Sequence, residues 1–217
     1  EENVTSDNKM YAMQAGFERF KNNIFDNFII HYHKYDRKYD EQGTVNKYYS
    51  ESITSKIERD VTFNNKFSYG YGMAYKYDWG EYTTLTFTSQ TKGHLKNLGI
   101  FTNAGYKFNE NQSLSFHLRN DDHKETGGNQ TYKINYTQLF NNLKLGITHS
   151  TGLKNPSLYE LYGSSSSHSG STLIDPEKSK TNELYIKYDF KKNINFNSTL
   201  YRTNMTNRIK IKSDWSG

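Results

Sequence analysis

The chain has 217 residues, with 28 Lys and Arg against 23 Asp and Glu for a formal net charge of +5, and 33% hydrophobic residues of which an unusual share is aromatic. So few aliphatic residues exclude an ordinary soluble core, while 19 Tyr and 13 Phe exclude a disordered chain. Without cysteine there is neither a disulfide framework nor a thiolate metal site, and lysines spread along the chain argue against nucleic acid as a partner.

No apolar run of eighteen residues is present, so crossing a membrane with helices is excluded as well. Alternation is the dominant pattern instead. The first two strands are expected at about 8–20 and 24–36, joined by "NN" at 22–23. The second carries His31 and His33 on one face, and runs into "YDRKYDE", whose Asp36, Asp40 and Glu41 could hold Ca²⁺ as an oxygen cluster. Tyr35 and Tyr39 lie in the same stretch as candidate ligand-gripping aromatics. A third strand at about 48–63 has the apolar parity Tyr49, Ile53, Ile57, Val61 and Phe63, which also places Arg59 on the lipid side. Arginine at mid-membrane costs about 2–4 kcal/mol, so either Arg59 reaches the periplasmic headgroups or the strand register differs around it.

After "NN" at 64–65, the strand at about 66–78 is the clearest. Phe67, Tyr69, Tyr71, Met73, Tyr75, Tyr77 and Trp79 form one face, opposed by Ser68, Gly70, Gly72, Ala74, Lys76 and Asp78. Further strands are expected at about 96–108, 112–121, 131–140, 143–152, 180–190 and 194–203. By parity, His117, Arg119, Lys133 and Lys187 face a polar lumen, with Arg119 a candidate ligand contact. Asn-rich joints at 22–23, 64–65, 109–111, 141–142 and 191–193 are short, since Asn tolerates left-handed backbone. The other joints, "DRKYDEQGTVNK", "DWGEYTTLTFTSQTKGHL" and Gly152 to Lys180, read as long loops. Tight turns on one side and long loops on the other are the layout of an antiparallel transmembrane β-barrel. Proline, which cannot donate to a ladder that lipid leaves no other way to satisfy, is confined to Pro156 and Pro176 in the longest loop.

The loop is also where a family resemblance is sharpest. Lys154, Pro156, Leu158, Leu161, Tyr162 and Gly163, followed by Leu173, Pro176, Glu177, Ser179 and Glu183, resemble the paired motif of TonB-dependent outer-membrane receptors. "YKYDWGEY" and "TKGHLKNLGIFTNAGYKF" look most like the cobalamin-receptor branch, although the spacer "SSSSHSGST" departs from the family's usual turn. The resemblance implies an internal fragment of about ten strands from a barrel of about 22, with residues 1–217 all barrel and the plug domain and C-terminal strands absent. It implies TonB-dependent uptake of a large scarce ligand across the outer membrane of a Gram-negative bacterium, cobalamin first and a ferric siderophore or haem as the alternative. The TonB complex, outer-membrane lipid and lipopolysaccharide are the implied partners. No cofactor, resident metal or catalysis is implied, and Tyr159 and Tyr162 are further candidate ligand contacts.

Two rival readings draw on the same residues. A small outer-membrane protease could use Asp121, Asp122 and His123 to activate water, but would need a second acidic or histidine pair across the barrel mouth. A passive porin would not be expected to carry the paired proline motif.

Overall fold

The computed structural model describes residues 4–84, 89–163, 170–191 and 194–210. Ten strands, each antiparallel to the next, form one sheet in sequence order. They are β1 (Val4–Lys21), β2 (Ile24–Glu41), β3 (Thr44–Thr62), β4 (Phe67–Thr84), β5 (Ser89–Asn109), β6 (Gln112–His123), β7 (Gly127–Phe140), β8 (Leu143–Lys154), β9 (Glu177–Lys191) and β10 (Ile194–Thr206). One short helix, α1 (Leu158–Tyr162), lies between β8 and β9. No helix among the described residues is long and apolar enough to cross a membrane.

Residues directly opposite one another in an antiparallel pair point to the same face, so register converts alternation into rows. Phe67, Tyr106, Leu114, Tyr136, Ile147, Leu184 and Leu200 pair in succession from β4 to β10. Phe17, Phe28, Ile57, Met73 and Ile100 make a second row from β1 to β5. These side chains are exposed, with Ala104 and Thr102 among the few small residues between them. Only Leu95 and Leu161 are buried hydrophobics among the described residues, so there is no globular core. A continuous apolar face of this extent is satisfied by lipid. The opposite face carries Gly70, Asn103, His117 and Lys133 in one row, with Arg119 on the same side of β6 and Lys187 opposite Lys144. Parity thus places all four expected lumen residues together.

The turns show Asn acting in two ways. Asn22 and Asn141 adopt positive φ, of 55° and 47°. Asn64 instead accepts from the amides of Lys66 and Phe67 at 2.8 Å, and Asn109 accepts from Asn111 N at 2.9 Å. Residues 192–193 of the fifth short joint lie outside the described residues.

The long loops are a correction. β2 and β3 continue to Glu41 and Thr44 and close in a two-residue turn with Gln42 and Gly43 both at positive φ. β4 and β5 likewise run on to Thr84 and Ser89, and β6 and β7 to His123 and Gly127. Beyond the apolar belt both faces meet water, so the backbone ladder continues while alternation disappears. Among the described strands only the β8–β9 connection is a long one.

Register also settles Arg59. It lies opposite Asp26, which lies opposite Arg19, one row in from the turn at 22–23. The outward parity read from the sequence holds. Asp26 bridges the two guanidiniums, and the row lies at the turn end of β1 and β2. β1 and β10 each pair on one side only among the described residues.

Candidate functional site

The connection after β8 folds back over the inner face. Pro156 is fully buried there without stranding a donor, because proline has none. Ser157 then caps α1 in a reciprocal box: its hydroxyl accepts from Glu160 N, and Glu160 Oε2 accepts from Ser157 N at 2.7 Å. Lys154 pairs with Glu160 at 3.4 Å and with Glu177, the first residue of β9, at 3.6 Å. Gly163 ends the helix at φ 72°, where its amide donates to Tyr159 O. Pro176 is also buried, just before β9, so both prolines interrupt the ladder as expected.

Two glycines prepare the seat. Gly80 and Gly93 are opposite one another on the inner face of β4 and β5. A Cβ on Gly80 would lie 3.1 Å from Leu158 Cδ1, and one on Gly93 would lie 2.4 Å from the Tyr162 ring. Leu161 is buried at 2% exposure, while Tyr159 remains 44% exposed and Leu173 stands fully in the open. Tyr162 donates to Glu125 Oε1 at 2.9 Å and accepts from Lys124 at 3.4 Å. The hydrogen bond from Tyr162, and then that from Lys124, whose Nζ also pairs with Glu125 Oε1 at 3.1 Å, hold the Glu125 carboxyl below its usual range. Burial pushes the Glu160 carboxyl up, but the Ser157 amide and hydroxyl and Lys154 outweigh it and hold the carboxyl low.

Beneath the helix, Thr126 links Asn155 (Oγ1 to Oδ1, 3.0 Å) to His123 Nδ1, which also faces the amides of Glu125 and Thr126 at 3.3 Å. Nδ1 is therefore an acceptor, and burial pushes the imidazole pKa down against the neighbouring carboxylates. A cleft of about 510 Å³ lies between this layer and the inner face of β2 to β6, lined among others by His33, Ser52, Asp78, Asn97, His123 and Tyr159. Ser52 Oγ and Asn97 Oδ1 are buried in it without a hydrogen-bond partner. A polar guest could satisfy both.

Further out on the same face, Arg37 lies over Tyr39 and Tyr48 at 5.2 and 5.9 Å, and Tyr48 packs on Tyr82 at 4.7 Å. Arg37 Nε is buried without a partner. Sequence reasoning took Tyr35 and Tyr39 from this stretch and missed Arg37, which shares their parity and lies between them. The Tyr35 hydroxyl donates to Asn8 at 3.1 Å. Arg119 lies lower on the wall and is engaged bidentately by Asp121, through Nε at 2.7 Å and Nη2 at 2.6 Å. Of the motif residues, Ser179 lies opposite Gly152, and Glu183 opposite Thr148 on the inner face. Most of the spacer, residues 164–169, lies outside the described residues.

The acidic clusters do not assemble. Asp36 and Asp40 face outward by parity and Glu41 inward, while Asp40 accepts from Gly43 N in the turn. Asp122 lies opposite Leu98 on the outward face, whereas Asp121 and His123 face inward, so the three cannot converge on one water. Among the described residues no group of three His, Asp or Glu is placed to hold a metal ion.

An antiparallel wall with apolar outer rows, a polar inner face, and a loop folded over that face is a segment of an outer-membrane β-barrel. Residues 2–216 match the family model described as TonB dependent receptor-like, beta-barrel, and the chain belongs to that family. No curated protein matches the chain. It resembles the siderophore receptor PirA from Pseudomonas aeruginosa (15% identity, TM-score 0.71), covering 94% of this chain and 41% of that one. It also resembles the ferric enterobactin receptor PfeA from Pseudomonas aeruginosa, there a G324V mutant (15%, 0.78), covering 91% and 35%. A third likeness is to the ferric-catecholate import receptor Fiu from E. coli K12 (11%, 0.79), covering 96% and 42%. The chain therefore spans less than half the length of each, and at these identities the likeness is one of fold.

Proposed function

We propose that the chain is the ligand-facing wall of a TonB-dependent receptor that takes up a ferric siderophore through the outer membrane of a Gram-negative bacterium. Its work is binding and gating rather than covalent chemistry. The observation that carries this is the cleft under α1, with Tyr159 at its mouth and the Arg37, Tyr39 and Tyr48 cluster further out along the same face. Arginine and tyrosine together suit an anionic aromatic ligand, through charge and ring contact at once. A siderophore is preferred to cobalamin because the three structures named above include siderophore and ferric-catecholate receptors and no cobalamin receptor. The polar inner face suits a plug domain through which the TonB complex would act. The outward Lys38 and Lys47, paired across β2 and β3 beyond the belt, suit lipopolysaccharide phosphates.

The test is titration of the full-length receptor with a ferric catecholate and, separately, with cobalamin. The ferric catecholate should bind, and Tyr159→Ala or Arg37→Gln should each weaken it by about tenfold. Absence of ferric catecholate binding, or binding by cobalamin alone, would overturn the ligand class. Unchanged affinity in both variants would move the site elsewhere on the wall.

A further inference from the structure

The bridged row of Arg19, Asp26 and Arg59 is on the lipid face, where charge is least welcome, and the function above does not use it. Two guanidiniums share one carboxylate, leaving a net charge of +1. Arg19 donates to Asp26 Oδ2 through Nε at 3.1 Å and Nη2 at 2.5 Å, and Arg59 donates through Nε to Oδ1 at 2.5 Å and Nη2 to Oδ2 at 3.2 Å. Nη1 of each arginine is left out of these bonds. The Asp26 side chain is shielded at 19% exposure, while the arginine side chains remain open at 53% and 41%. The group therefore presents fixed positive charge to lipid. Arginines that only needed water would be free to extend towards it, whereas Asp26 holds both of these in place.

What lies beside the charge is equally specific. Arg19 is two residues from the strand end at Lys21, about 7 Å along the strand, which puts the row at the periplasmic edge of the belt. The next row towards the bilayer centre is Phe28, Ile57, Met73 and Ile100, all exposed. The two rows line one groove of about 640 Å³ on the outer face. Cation at the edge and an apolar row on its bilayer side repeat the polarity of the headgroup end of a phospholipid in the periplasmic leaflet.

We propose that this groove binds one anionic phospholipid, its phosphate on Arg19 and Arg59 and an acyl chain along Ile57, Met73 and Ile100. Guanidinium suits the task because it meets phosphate oxygens through two parallel N–H donors. A zwitterionic headgroup returns a positive charge to the same place and is disfavoured. The site rests on the outer-membrane orientation of the wall and is independent of which ligand the receptor imports.

The test uses the full-length receptor in nanodiscs of equimolar phosphatidylglycerol and phosphatidylcholine, with retained lipid read by native mass spectrometry. The wild type should keep one phosphatidylglycerol preferentially, and Arg19→Gln with Arg59→Gln should lower its retention by about tenfold. Met73→Trp fills the groove and leaves the charges, and should lower retention as well. This variant decides the matter if the double one fails to insert. No phosphatidylglycerol preference in the wild type, or full retention in Met73→Trp, would overturn the site. A wild type that does not enter lipid at all would instead overturn the membrane orientation on which it rests.

Discussion

The turn-side half of the wall and its outer half share one backbone ladder but answer to different solvents. In the turn-side half alternate residues are mostly apolar because lipid covers that face, Arg19, Asp26 and Arg59 near the turn being the charged exception, and the row from Phe67 to Leu200 runs unbroken across seven strands. In the outer half both faces meet water. There β2, β3, β4 and β5 extend with charged and polar residues on either side, and order comes from named contacts: the Ser157 cap, the Tyr162 and Glu125 hydrogen bond, and helix on glycine. The first half is specified by a pattern and the second by particular side chains. Substitutions should therefore fail differently in the two.

The largest effect is expected in the belt. Ile100 lies opposite Met73, midway along the apolar run of β4, and Ile100→Lys should destabilise the folded barrel by about 2–4 kcal/mol. Gln14→Lys on the inner parity of β1 should change stability by no more than about 0.5 kcal/mol. Denaturant unfolding in lipid vesicles compares the two, and equal costs would mean that the apolar face is not in lipid. Next come two glycines that separate the halves. A methyl on Gly72 would meet the Ile57 carbonyl oxygen at 2.4 Å, which only a shift of strand β3 can relieve. Gly72→Ala should thus cost about 1–3 kcal/mol in global stability. On Gly93 the atoms nearest the methyl all belong to the Tyr162 ring. Gly93→Ala should leave unfolding unchanged and instead expose residues 155–163 to proteolysis.

This division also explains what could be read beforehand. Turn-side strand ends were legible to within about two residues, because alternation and Asn turns coincide there. Outer ends were missed by up to seven residues at β5, which begins at Ser89 rather than near 96. No side-chain period marks a strand that has water on both faces. The prolines were legible as breaks in the ladder, but the inward fold of α1 was not. It depends on Gly80 meeting Gly93, a pairing between residues thirteen apart that only register reveals. Tyr39 could be named and Arg37 was not, although alternation already placed them together. Their significance comes from Tyr48 on the neighbouring strand.

Within the outer half the contacts holding α1 can be ranked. Ser157→Ala removes the cap and should loosen the helix by about 1 kcal/mol. Tyr162→Phe removes the hydroxyl shared by Glu125 and Lys124, at a similar cost of about 1 kcal/mol. Hydrogen exchange of residues 157–163 reads both, with β4 to β7 amides as the unaffected reference. Protection lost equally in the sheet would show that helix and wall are one cooperative unit.

The smallest effect is a pH dependence whose window identifies its source. His123 is held neutral in the docked state, with its pKa pushed below the ordinary 6.5 by burial. An undocked His123 binds a proton more readily, so docking weakens as pH falls through 6.5 and goes on weakening until the depressed folded pKa is passed. Glu125 and Glu160 behave oppositely in origin. Their pKa values are lowered from 4.5 by hydrogen bonds, so their contribution is complete above 4.5 and is lost only as pH falls below it. Loosening of residues 155–163 that begins near pH 6.5 therefore reports His123, and loosening confined below 4.5 reports the carboxylates. His123→Asn should abolish the first phase and keep the second. Because the acceptor of Thr126 changes at the same time, the baseline protection of His123→Asn must be measured at neutral pH first, and only its slope between pH 7 and 5 carries the inference. A slope equal to that of the wild type would show that the buried imidazole does not couple to the docking of α1.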